Sequence, residues 1–216
     1  NGTLNWAPAW GYTMSLLGNI ASSGSLTLDG FLQLQGGILS INRGSFQFLS
    51  ASSQMDLAGG TMIVDNALVN GVGLISVLLN GRVTFTVSAI DGPAFLIAGG
   101  SVTVEGELSV SAKSLFEFQD GALQGDGTLS VSTVRFTRSY TSSNKLLESL
   151  VLRCLNAFIW FQDAHSNLVL SGGAQLVFSG QVDIRTGTDS ILCSSSSCGR
   201  FVNGASAIMT INPLSG

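Results

Sequence analysis

Three cysteines, one histidine and thirteen acidic residues are where the chemistry of this 216-residue chain would have to reside. Cys193 and Cys198 frame a run of four serines. That C-x4-C spacing suits a disulfide closing a short flexible loop, or two free thiols. Zinc is disfavoured, because a second ligand pair is missing and the sole histidine is distant in sequence. A disulfide would imply an oxidising compartment. Cys154 reads as a buried apolar residue. A nucleophilic triad would have to use His165, with Asp163 two residues away. No serine sits in a strained G-x-S-x-G elbow, so His165 reads as a surface-loop residue. Asn1-Gly2-Thr3 matches the N-glycosylation acceptor, which matters in a eukaryotic secreted protein.

The acids are mostly solitary. Asp29, Asp91, Asp120 and Asp126 each precede a glycine and read as turn formers. Asp56, Glu117 and Asp183 stand between two apolar residues and read as solvated outward positions. If Glu117 and an acid of a neighbouring coil shared a face, they could bind calcium. Glycoside hydrolysis needs two carboxylates across one bond, and no such pair stands out. The sequence points to no catalytic, cofactor or metal site. Trp6, Trp10 and Tyr12 cluster in a segment poor in apolar triplets. They suit core or interface packing, with stacking against sugar rings as the alternative.

The elements that would carry these residues are short strands. Triplets of the form apolar, mostly polar, apolar recur: Leu26-Thr27-Leu28, Leu32-Gln33-Leu34, Phe46-Gln47-Phe48, Val83-Thr84-Phe85, Leu108-Ser109-Val110, Leu129-Ser130-Val131 and others. A period of two marks a strand buried on one face. Glycines, often paired, separate the triplets and mark sharp corners. Equivalent triplets at 26 and 46, 62 and 83, 83 and 102, and 108 and 129 lie 20, 21, 19 and 21 residues apart. Three short strands per coil of about 20 residues follow, stacked as a right-handed parallel β-helix. About ten coils with rungs roughly 4.8 Å apart would reach on the order of 45–50 Å. Phenylalanines at triplet ends would point inward and stack in rows. A sandwich or barrel with Asn-Gly and Asp-Gly hairpins is the alternative, but many triplets are short and regular for hairpin strands.

One stretch breaks the pattern. No glycine occurs between Gly127 and Gly172. Residues 133–150 suggest a surface excursion from a single domain over 1–216. Within 144–158, Leu146, Leu147, Leu150, Val151, Cys154, Leu155 and Phe158 have helical spacing. Ser149–Leu152 and Ala157–Phe161 read instead as strands, with a short packed helix as the alternative.

Composition narrows the function classes. Charged residues make up 10% of the chain, the net charge is −4 and the hydrophobic share is 45%. Mean hydropathy is +0.43. Low charge with high apolar content excludes disorder and long charged helices. Nine scattered cations make no basic stripe, so nucleic acid is not an expected partner. The richest apolar window, 146–161, is broken by Glu148, Arg153 and Asn156, so membrane insertion by a helix is not expected.

Two longer phrases carry a resemblance: Gly2-Thr3-Leu4-Asn5-Trp6 followed by Gly24-Ser25-Leu26-Thr27-Leu28, and Phe158-Ile159-Trp160 followed by Asn167-Leu168-Val169-Leu170-Ser171-Gly172-Gly173. With Gly199-Arg200-Phe201-Val202-Asn203-Gly204, they resemble the repeats of large secreted β-helix proteins of filamentous-haemagglutinin and pectin-lyase-like architecture. The resemblance implies an extracellular or cell-surface location and a structural or adhesive segment, a stiff spacer or assembly unit. Polysaccharide binding is the alternative it allows, and polysaccharide cleavage a more distant one. The chain starts without Met or a signal-like segment, and no polar cap flanks its first or last triplets. It therefore reads as part of a longer chain, whose expected partners are flanking coils, other copies end to end, or surface glycans.

Overall fold

The computed structural model describes residues 4–6, 13–137, 144–162, 167–186, 191–193, 198–204 and 207–211. Among them every regular element is a strand and every strand pairing is parallel. The pairing follows a three-step cycle. Each short strand skips two successors and bonds to the third, so the chain winds as a parallel β-solenoid with three ladders.

The first ladder runs through Leu4–Trp6, Ser25–Leu28, Ser45–Phe48, Leu68–Gly71, Ser88–Asp91 and Glu107–Val110. It continues through the first parts of Thr128–Phe136 and Val151–Gln162, then Gln175–Phe178 and Arg200–Asn203. That is ten strands among the described residues, or nine steps of about 4.8 Å, roughly 43 Å in all. The second ladder runs from Thr13–Leu16 to Ile208–Ile211 and the third from Ile20–Ser22 to Ile191–Cys193.

The register matches the spacing read from sequence. Leu26 stands over Phe46, Met62 over Val83, Val83 over Val102, and Leu108 over Leu129. Hairpins are absent from the described residues because each glycine-rich corner delivers the chain to a new ladder rather than back along the old one. Later coils lengthen: Val131 pairs with Cys154 and Cys154 with Phe178, 23 and 24 residues on. Some corners are traversed without interrupting the strand, as in Ala94–Val104 and Phe116–Gln124.

Residues 144–158 are coil, not helix. Lys145–Glu148 and Val151–Gln162 are strands in register with Gly121–Gln124 and Thr128–Phe136. Leu147, Leu150, Leu152, Cys154 and Phe158 are buried, while Leu155 is 45% exposed. The helical spacing lost because a helix here would leave two rungs of parallel edges unpaired. Of the segment 133–150, the strand through Phe136 and the strand from Lys145 belong to the coils, and 138–143 lies outside the described residues.

Alternation sends one side chain of every pair inward. Leu26, Phe46, Val69, Ile90, Val110, Val131, Cys154 and Phe178 form one continuous buried column. Aromatic rings stack along the axis as the triplet ends suggested. Phe95 and Phe116 lie parallel at 5.7 Å. Phe118, Phe136, Phe158, Phe178 and Phe201 form a chain of contacts 4.9–6.0 Å apart. Most of these pairs are tilted or edge-on, the arrangement favoured by the ring quadrupole.

Corners are held by side chains that reach one rung back. The hydroxyls of Ser53 and Ser88 donate to the carbonyls of Leu28 and Val64 at 3.0 Å, and the hydroxyl of Ser50 donates to Asp29 at 2.8 Å. The Leu28 and Val64 carbonyls also accept the N–H groups of Leu49 and Thr86, so each serine adds a second bond to an acceptor already tied to the next rung. Arg43 and Asn66, stacked in successive rungs, share a left-handed backbone with φ of 55° and 47°. A repeated corner conformation keeps the rungs in register despite different residues.

Candidate functional site

The solenoid presents three outward faces and two end rungs, and any function must use these. The sequence-singled acids sit on the faces. Asp56 departs from its expected solvation: it is 8% exposed. It stands between Gln33 and Ser76 of adjacent rungs, and Gln54 Nε2 donates to it at 2.8 Å. Alternation sets the direction of a side chain, but neighbouring rungs at about 4.8 Å shield it from water. Glu117 is half-buried and accepts hydrogen bonds from Thr137 Oγ1 at 2.6 Å and Gln119 Nε2 at 2.8 Å. Its rung neighbours are Leu96 and Arg135, so no acid stacks on it to make a calcium pair. Asp183 pairs with Arg185 at 2.8 Å along the same strand and stands between Ile159 and Thr210.

The turn-forming acids occupy corners. Asp91 lies 3.5 Å from Lys113. A hydrogen bond from Ser111 holds its carboxyl below the usual aspartate range, and the Lys113 ammonium adds to this. The interaction is therefore present above the ordinary aspartate pKa and fades as pH falls through the lowered value. Asp120 is buried and accepts the N–H of Gly121 at 2.7 Å. Among the described residues, no group of three or more His, Cys, Asp and Glu side chains is arranged to hold a metal. No described helix is long and apolar enough to cross a membrane.

Several expected residues fall outside the description. Asn1, Trp10, Tyr12, Asp163 and His165 lie beyond the described residues, and for Trp6 only its backbone register opposite Leu28 is given. Cys154 is a free cysteine buried in the first-ladder column, and burial pushes its thiol far above the ordinary range. Cys198 is exposed. Cys193 closes the strand Ile191–Cys193, but its side chain is outside the description.

Sequence reading missed Lys145, which is fully buried at an inward position between Gly121 and Leu168. The last triplets were expected to lack a polar cap. Ile191 and Phe201 continue inward columns over Leu168 and Leu176. Leu168 and Leu176 are 0% exposed, yet Ile191 is 49% and Phe201 38% exposed. The last described rung has apolar inward side chains and no described strand stacked on it.

No family profile, curated protein or solved structure matches the chain. What it has in common with the large secreted β-helix proteins is therefore the parallel solenoid itself.

Proposed function

We propose that this chain is an extracellular structural or adhesive β-solenoid segment, a stiff spacer or assembly unit. The single observation that carries the reading is the continuous stack of parallel strands in three ladders, ten described strands in the first, around one unbroken apolar core. Parallel strand edges with unpaired N–H and C=O groups, over an uncovered apolar core, favour pairing with strands of the same geometry. Flanking coils of the same chain or the first rung of another copy supply that geometry. The low charge and the small polar residues on much of the outward surface suit a stiff rod rather than a catalytic cleft.

The 216-residue chain is expected to associate end to end with rising concentration. Phe201→Arg places a charge over the open core and should suppress that growth in sedimentation velocity. A chain whose mass stays monomeric at high concentration, or whose open-ended growth is indifferent to Phe201→Arg, would overturn the assembly reading. The glycan-binding alternative rests on Trp6, Trp10 and Tyr12, and no described side chain adds to it.

The cysteines bear on the compartment. We propose that Cys198 pairs with Cys193. Closing so small a loop stabilises by roughly 2 kcal/mol, the low end for disulfides. Peptide mapping without reduction should find Cys193 linked to Cys198. In the same samples Cys154 should resist alkylation in the native protein and react only on unfolding, because its thiol is buried and held protonated. Recovery of Cys193 and Cys198 as alkylated thiols from native secreted material would refute the pairing.

A further inference from the structure

Where the third ladder turns into the first, a groove of about 480 Å³ runs along the rod across four rungs. Its floor is small: Gly44, Ala67 and Ser88 follow one another, each immediately before a paired first-ladder position. The backbone fixes this hollow. A Cβ on Gly44 would meet the carbonyl oxygen of Gly24, and the Ser88 hydroxyl is turned away to the Val64 carbonyl. One wall holds Leu68 and Ala89, the other Asn66, Val87 and Glu107. Arg43 extends the second wall by one rung, in a left-handed backbone (φ 55°) that an arginine rarely adopts. Arg43 and Glu107 are both exposed, and neither has an ion-pair partner among the described residues. One wall therefore carries a cation at one end and an anion at the other, three rung steps or about 14 Å apart.

We propose that this groove binds a short extended peptide of about four residues with both termini free. Four residues at roughly 3.4 Å each span about 14 Å, so ammonium and carboxylate reach both ends of the wall together. The ammonium lies at Glu107, where Glu105 adds a second exposed carboxylate. The peptide carboxylate lies at Arg43, whose planar guanidinium takes it bidentately. A ligand carrying one sign of charge only would leave one end unmatched. Between the ends, Leu68 is 38% and Val87 60% exposed, which gives small peptide side chains apolar area to cover. Asn66, also exposed, offers its side-chain amide to the peptide backbone. The groove lies on the side of the rod, so this binding is independent of growth through the end rungs.

Isothermal titration calorimetry of the full chain with tetra-alanine bearing free termini tests this. Binding should saturate at millimolar peptide or below, with one peptide per chain, and weaken as salt is raised. Dialanine, which spans about half the distance, should not saturate over the same range. Arg43→Gln and Glu107→Gln should each weaken binding about fivefold, the worth of an exposed ion pair, with unchanged circular dichroism. Both side chains are exposed, so neither change threatens the core. The two variants should also answer to different ends of the peptide. Arg43→Gln should erase the penalty for amidating the C-terminus and keep that for acetylating the N-terminus, and Glu107→Gln should do the reverse. A merely structural role would not divide the two penalties in this way. No saturable heat with tetra-alanine would overturn the proposal. So would equal binding of the doubly blocked peptide, or terminal penalties that do not depend on which of the two residues is replaced.

Discussion

Phe136→Ala is expected to lower the stability of the solenoid by about 3–5 kcal/mol in chemical denaturation. The ring is fully buried and lies in register between Phe118 and Trp160. It touches Phe118 at 5.4 Å, Phe158 at 4.9 Å and Trp160 at 6.0 Å, so its loss opens contacts on two rungs at once. The parallel strands on either side fix the rung spacing, so the neighbours cannot collapse into the void. In a stack where each coil touches only its neighbours, weakening one middle interface also uncouples the two halves. Unfolding should broaden or split into two transitions. Phe201→Ala is the internal control: the residue is 38% exposed on the last described rung and should cost under about 1.5 kcal/mol, well below full burial. Equal losses for the two variants would mean that the aromatic chain does not stabilise the rod as described.

Gly71→Val should be comparably severe, by a backbone mechanism. Gly71 has φ of 99°, which L side chains rarely adopt, and a Cβ there would run into the carbonyl oxygen of Phe48 one rung back. The φ strain alone costs on the order of 1–3 kcal/mol. Relieving the clash requires Phe48 to move, and Phe48 is a buried core residue of the paired strand Ser45–Phe48. A total of roughly 3–5 kcal/mol is expected, within the tail reserved for such combined defects. Two further glycines separate the causes. Gly173 has φ of 76° but open space around its Cβ position, so Gly173→Ala should show strain alone, about 1 kcal/mol. Gly18 has open space and no positive φ, so Gly18→Ala should be neutral or slightly stabilising. Thermal melts that fail to rank Gly71→Val, Gly173→Ala and Gly18→Ala in that order would contradict the close-approach account.

By itself the sequence determined the strand content, the coil length and much of the register. Apolar residues at every second position and glycines at regular intervals are local signals, and a parallel stack repeats them in place. This is why the stacking of 26 on 46 and of 83 on 102 is legible in the sequence. The tertiary structure alone decided what depends on the neighbouring rungs. Asp56 is shielded although it points outward, because Gln33, Gln54 and Ser76 surround it. Residues 145–148 and 151–162 are strands despite helical spacing, because paired edges already await them. Lys145 is buried and Ile191 exposed on one inward column. Burial in a solenoid is set by the rungs above and below, some twenty residues away in either direction, and no local pattern encodes whether those rungs are there.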